Sequence, residues 1–342
     1  MSRICHQVVM VSRPDGLPRE SDFAVREAPL VEPVEGQLLV RTCYLSVDPY
    51  MRGLMAGAAA PYAPAIHPGE VPSGGAVGRV ESSRNPRYQS GDVLVGNWGW
   101  RTHAVVEAEQ VEPFDTALGP MSTALGVLGM PGMTAYFGLL EIGQLRGAGQ
   151  QVFVSAAAGA VGSLVGQIAR IRGARVAGSA GSGEKVEYLL GECGFDAAFN
   201  YKEKTNLRRA LKEVCPGGID VYFDNVGGAI TDAALMRINT AARIVLCGQI
   251  DQYNATEPPA GPRMLWMLIV REARAEGFLV FHFRDRFAAA RREIAEWIQQ
   301  GRVRYRETIH QGLESTPGAF RGLFTGENIG KQLVKVSDET TT

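Results

Sequence analysis

Apolar positions change their spacing once along the chain, around residue 122. Before that point, short apolar runs recur between glycine and proline turns, as in Gln7–Val11, Leu38–Thr42, Val77–Glu81 and Asp92–Val95. Runs of this kind predict the strands of an antiparallel barrel or sandwich. After it, the chain repeats strand, glycine turn and helix, the pattern of a parallel doubly wound sheet. The predicted strands there are Gln151–Ser155, Ala174–Gly178, Ala197–Asn200, Ile219–Asp224, Arg243–Cys247 and Gly277–Phe281. Between the first two, Val161, Leu164, Val165, Ile168 and Ala169 fall on one helical face, closed by Gly173. Phe287, Ala290, Ile294, Trp297 and Ile298 line a later helix that stops at Gly301. Thr308–His310 and Gln332–Val336 are isolated strand-like runs that could not extend a parallel sheet without further helices, so the tail is expected to return to the first lobe. The expected organisation is an α/β protein with a catalytic lobe over residues 1–121 joined by 302–342, and a cofactor lobe over 122–301.

Composition narrows the function classes. The chain has 342 residues, a formal charge of −1 and 45% hydrophobic residues. That charge balance leaves no electrostatic footprint for nucleic acid or an anionic membrane. Met264–Val270, the longest apolar run near the C-terminal third, is too short to span a bilayer. Five dispersed cysteines without a CxxC pair predict neither a disulfide framework nor a thiolate metal site, and a start without an apolar signal core makes the cytoplasm the default location.

The richest chemistry lies in Gln151-Val152-Phe153-Val154-Ser155-Ala156-Ala157-Ala158-Gly159-Ala160-Val161-Gly162. This is strand, tight turn, then helix. Small residues from Ala158 through Gly159, Ala160, Val161 and Gly162 let the backbone approach a pyrophosphate, and free amides at the helix start face its charge. An NAD site normally ends its second strand with an acid for the ribose hydroxyl. Here Gly178-Ser179-Ala180-Gly181-Ser182-Gly183 carries none, and Lys185 follows on the next helix. Serine hydroxyls such as that of Ser179, with an ammonium, suit a 2′-phosphate, which favours NADPH. The alternative for Lys185 is an ordinary solvated helix lysine. The histidines and cysteines of the first lobe (Cys5, His6, Cys43, His67, His103) lack ligand spacing, so no zinc site is expected. No G-x-S-x-G elbow is present for hydrolase chemistry.

These residues resemble a known family, the zinc-independent medium-chain dehydrogenase/reductases, in the branch of prostaglandin reductases and alkenal double-bond reductases. The resemblance spans nearly the whole chain. It rests on Ser46–Arg52, Gly129–Tyr136, the small-residue turn, Gly178–Ser182 with Lys185, Phe199–Lys202, Tyr222–Gly228, Cys247–Asn254 and Glu327–Lys331. It implies a GroES-like β-barrel beside a Rossmann domain. It further implies that Lys185 and Tyr201 hold the 2′-phosphate, and that Asn225 meets the cofactor near the ribose. Cys247, Gly248, Gln249, Ile250 and Tyr253, with Phe278, Leu279 and Val280, would line its nicotinamide half. Asn328 would reach it from the returning tail. Gln249-Ile250-Asp251-Gln252 departs from the smaller residues of animal members, which leaves the pocket shape open.

The implied activity is NADPH-dependent reduction of the carbon–carbon double bond of an α,β-unsaturated aldehyde or ketone, a small-molecule enone or alkenal. Hydride goes to the β-carbon while charge collects on the carbonyl oxygen, so the site needs a donor there; a phenol, with an ordinary pKa of about 10, is protonated at neutral pH. Tyr253 lies just past a strand's C-terminal edge, where ligands sit in such sheets, and matches the family tyrosine with this role. Tyr50, in Asp48-Pro49-Tyr50, is the second catalytic candidate; it could instead pack the lobe interface. Two alternatives stay open at this level, an NADPH-dependent quinone reductase and a cofactor-binding protein without turnover. An open sheet edge near Gly277–Phe281 predicts a homodimer.

Overall fold

The computed structural model describes residues 3–262 and 264–339. The chain begins with β1 (Ile4–Met10), β2 (Phe23–Pro29) and β3 (Gln37–Ser46), then the short helix α1 (Met51–Met55). β4 (Ala76–Ser83), β5 (Val93–Gly96), β6 (His103–Glu107) and β7 (Glu112–Pro113) follow. The next stretch holds α2 (Met130–Phe137), β8 (Gln151–Val154), α3 (Ala160–Ile171), β9 (Arg175–Ala180), α4 (Gly183–Gly191) and β10 (Ala197–Asn200). Then come α5 (Leu207–Val214), β11 (Ile219–Asp224), α6 (Gly228–Leu235), β12 (Ile238–Leu246), α7 (Trp266–Val270) and β13 (Arg274–Gly277). The tail carries α8 (Phe287–Gln299), β14 (Glu307–Gln311), α9 (Thr316–Thr325) and β15 (Lys331–Lys335). None of the described helices is long and apolar enough to cross a membrane.

The chain divides into two units. One takes in Met1–Gly126, Glu307–Asn328 and Gln332–Thr342; the other takes in Val127–Arg306 and Ile329–Lys331. In the first unit the sheet order is β14-β15-β3-β4-β5-β7. β3 has the length to serve three partners: Gln37–Arg41 pairs β6, Tyr44–Ser46 pairs β15, and its other edge pairs β4. β1 and β2 form a separate antiparallel pair, tied on by the Val8 N–H donating to the Trp100 carbonyl at 2.9 Å. Alternating residues of β3 and β4 (Leu38, Val40, Val80) meet Trp100 and Phe320 in the core. Phe320 of α9 stands edge-on to Trp100 with ring centroids 5.6 Å apart. Burying a side chain of that size contributes about 1.5–3 kcal/mol, which anchors the tail helix in this unit.

The second unit is a six-stranded parallel sheet in the order β10-β9-β8-β11-β12-β13. That order places β8 and β11 side by side at the point where the winding reverses, the position where ligands bind in such sheets. The central strands are buried on both faces, as Val152, Phe153 and Val154 of β8 show, because helices cover both sides. Phe153 stacks between Tyr222 and Phe199 at 5.4 and 6.3 Å. β12 starts earlier than its apolar core suggests. Its register shifts between Ile238 and Arg243, and Ala241 takes a positive φ of 60°.

The strand predicted at Gly277–Phe281 is corrected. β13 occupies Arg274–Gly277, and Val280–Arg286 turns into a 3-10 helix. The aromatic residues there pack on α2 instead of extending a strand. Phe283 stacks on Phe137 at 4.9 Å, and the Phe278 ring lies so near Gly138 that a Cβ there would be 2.7 Å from it.

Candidate active site

β8 runs directly into the small-residue turn. Ala156 adopts φ +47° to reverse the chain, and Gly159 precedes α3 in an extended conformation without a side-chain cap. The first amides of α3 therefore carry the partial positive charge of an uncapped helix start. Gly162 has no room for a side chain, since a Cβ would lie 2.6 Å from the Ala156 carbonyl oxygen. The Gly330 N–H donates to the Ala158 carbonyl at 2.8 Å, and Gly330 bridges Gly159 in parallel. The segment Ile329–Lys331, part of this same unit, thus runs beside Ala158 and Gly159; Asn328, in the other unit, is half-buried.

At the end of β9 the roles of the two serines separate. Ser179 lies inside the strand, 2% exposed, and its carbonyl accepts the Ala157 N–H at 2.9 Å. Ser182 caps α4, accepting the Lys185 N–H at 3.3 Å. A Cβ on Gly181 would touch Lys202 Cε and the Tyr201 hydroxyl, each at 3.4 Å. Burial holds the Lys185 ammonium below the ordinary lysine range, and the Lys202 charge beside it lowers it further. Tyr201 is pushed up by burial, then by the Asp251 charge. Two cations and a phenol so gather round a turn without a carboxylate. Lys202 is the residue that sequence reasoning passed over; only the pairing of β10 with β9 brings it to Lys185.

Beyond β11 and β12 the two switch loops are stitched together. The Cys247 and Gly248 N–H groups both donate to the Asp224 carbonyl, at 2.9 and 3.1 Å; Ile250 N–H donates to Asn225 and Asp251 N–H to Val226. Asn225 is fixed by its side-chain amide on the Ser155 carbonyl at 2.8 Å. Burial pushes the Cys247 thiol up to about 12, with the Asp224 charge adding to it, so it is no nucleophile at neutral pH. Tyr253 sits in the following turn, half-buried, and its hydroxyl oxygen accepts the Gln249 N–H at 3.2 Å. Phe278 and Leu279 lie in the turn after β13, and Val280 is buried at the start of the 3-10 helix.

Tyr50 belongs to the other unit, where it precedes α1. Its ring meets Tyr62 edge-on at 5.5 Å, and burial with the nearby Asp48 charge drives its phenol well above the ordinary range. Asp48 is itself buried and accepts the Ser46 hydroxyl. Among the described residues no three His, Cys, Asp or Glu side chains cluster so as to hold a metal.

The strand order and the uncapped turn are those of a dinucleotide-binding fold. Residues 6–114 match the family described as the N-terminal domain of oxidoreductase, and residues 160–296 the one described as zinc-binding dehydrogenase. The protein YfmJ of Bacillus subtilis (strain 168) is 47% identical over 97% of this chain and 98% of its own. The NADP(+)-dependent 2-alkenal reductase of Nicotiana tabacum is 43% identical over 97% and 98%. The crystal structure of CurA from Vibrio vulnificus in complex with NADPH superposes with a TM-score of 0.91 at 40% identity, covering 97% of this chain and 99% of that one. The chain belongs to the medium-chain dehydrogenase/reductases, in the double-bond reductase branch, and its fold class is the one the sequence implied.

Proposed function

We propose that this protein uses NADPH to reduce the carbon–carbon double bond of small α,β-unsaturated aldehydes or ketones. The observation that carries the reading is the Tyr253 hydroxyl, held by the Gln249 N–H just beyond the C-terminal edge of β12. The residues present fit the cofactor. A side chain on Gly162 would fill the turn, the start of α3 is uncapped, and Lys185 is desolvated next to a second cation. The amides of Ala160, Val161 and Gly162 would hold the pyrophosphate; Lys185, Tyr201 and Lys202 would hold the 2′-phosphate. Asn225, Cys247–Ile250, Phe278–Val280 and Asn328 are assigned to the remaining contacts.

When bound, NADPH would supply the hydride for the β-carbon, the electron pair of the double bond would move toward the carbonyl oxygen, and the resulting enolate would take its α-carbon proton from water. The protein's part is electrostatic. Tyr253 donates its hydroxyl proton in a hydrogen bond to the carbonyl oxygen, where negative charge collects as the double bond is reduced. The Gln249 N–H on the same phenol oxygen withdraws electron density from it, which makes the O–H a stronger donor. Tyr50, kept protonated, is assigned to substrate contact. The test is turnover of a medium-chain 2-alkenal with NADPH, the saturated aldehyde being identified by mass spectrometry. Formation of that product faster than reduction of a small quinone is expected; faster quinone reduction, or none of either, overturns the reading.

The same reading places the protein in the cytoplasm, in keeping with the free thiols of all five cysteines, and makes it a homodimer. β13 is the outermost strand of its sheet, and Leu265, Trp266, Ile269 and Val270 just before it are 51–82% exposed. An open edge beside apolar side chains favours pairing with a copy. Gel filtration at micromolar concentration should show a dimer, converted to monomer by Ile269→Asp with Val270→Asp. A wild-type monomer overturns the assignment.

A further inference from the structure

The buried carboxylate of Asp224 has no part in the chemistry above, yet six donors converge on it. Its Oδ1 accepts from the Ser155 hydroxyl at 3.1 Å, the Tyr222 hydroxyl at 2.8 Å, and the N–H groups of Val226 and Gly227 at 3.0 Å. Its Oδ2 accepts from the Thr231 hydroxyl at 2.7 Å and from the side-chain amide of Gln249 at 3.2 Å. Five of these donors come from the residue that follows β8, from β11, and from the loop and helix that follow β11. The sixth comes from the loop after β12, the loop that carries Tyr253.

Gln249 is joined at every polar group. Its amide nitrogen also donates to the Gly248 carbonyl at 3.1 Å, and its amide oxygen accepts from the Gln252 side chain at 3.2 Å. Its backbone N–H is the one that meets the Tyr253 hydroxyl. The space for its side chain is left by Gly227, which has φ +77° and where a Cβ would run into the Gln249 amide. One residue therefore ties the reactive turn to a carboxylate that β8 and β11 hold rigid. A buried, fully bonded network of this kind fixes geometry more firmly than isolated pairs do.

We infer that Gln249 is a positioning residue for Tyr253: its side chain, anchored on Asp224, sets the backbone N–H that aims and polarises the phenol. The inference rests on Tyr253 being the donor to the substrate oxygen. A side chain that cannot reach Asp224 leaves the turn free to shift, and displacement of a catalytic group by about 1 Å can cost about a hundredfold in rate.

The experiment is a double-mutant cycle on the whole enzyme with a 2-alkenal, using Gln249→Met, Tyr253→Phe and both together. Gln249→Met is expected to lower kcat about tenfold, a partial displacement on that scale, with only the smaller change in the KM for NADPH that a residue beside the cofactor allows. In the Tyr253→Phe background the same change should have no further effect, because the group it acts through is gone. An equal loss in both backgrounds means a merely structural side chain, and a loss confined to the KM for NADPH means a cofactor contact alone; either overturns the inference. If Tyr253→Phe alone keeps full activity, the reading beneath it fails instead. Gln249→Asn, an amide one methylene shorter, repeats the test should the methionine variant not fold.

Discussion

Replacing Tyr253 by phenylalanine is expected to lower kcat for an alkenal by about a hundredfold to a thousandfold, the usual cost of removing one donor at a developing oxyanion. NADPH affinity should stay as in the parent protein, because the anchoring groups at the start of α3 and around Gly181 are untouched. The fold should hold too. Tyr253 is half-buried in a surface turn, and phenylalanine keeps the ring that packs there. Steady-state kinetics with a fluorescence titration of NADPH separate the two effects. A fall in NADPH affinity with kcat unchanged would instead mark Tyr253 as a cofactor contact, and turnover at the parent rate would remove its role. Since the donor acts on the transition state and not on ground-state binding, kcat and kcat/KM should fall together.

Which parts of this site could be read in the sequence follows from how local each part is. The turn Ala156–Gly162 is contiguous, so its small residues, its strand before and its helix after are visible as one pattern. The strands of the parallel sheet are legible for the same reason, as apolar runs bounded by glycine. Gly277–Phe281 looks like another such run, but Phe278 and Phe283 serve packing against α2, a partner about 140 residues earlier in the chain. α9 is not among the elements expected of the tail; it carries Pro317 in its first turn, where proline is compatible with a helix start, and Gly318 beside it weakens the helical pattern. The Asp224 network gathers donors from Ser155, Tyr222, Thr231 and Gln249, and no spacing rule joins residues so far apart. Lys202 is hidden likewise: it stands in a sequence motif, yet its nearness to Lys185 exists only once β10 lies beside β9.

That lysine pair gives the second large effect. A charge-assisted hydrogen bond contributes about 1.5–3 kcal/mol, so Lys185→Ala is expected to weaken NADPH binding about ten- to a hundredfold. Adding Lys202→Ala should weaken it further, while NADH, which lacks the 2′-phosphate, should bind both variants as it binds the parent. An equal loss for the two cofactors would place the lysines elsewhere on the ligand. The pH dependence has a definite sign. Burial and the Lys202 charge hold Lys185 below the ordinary lysine range, so its ammonium is lost at a lower pH than that of a free lysine. Phosphate affinity that depends on the ammonium then falls as pH rises through the lowered value. Removing Lys202 deletes one of the two causes of the lowering, so in Lys202→Ala the alkaline fall in NADPH affinity should begin at a higher pH, even though affinity at neutral pH is weaker. Titrations of NADPH across the alkaline range would show it. An alkaline limb that stays where it was in the parent would mean that the two ammonium groups do not share the phosphate site.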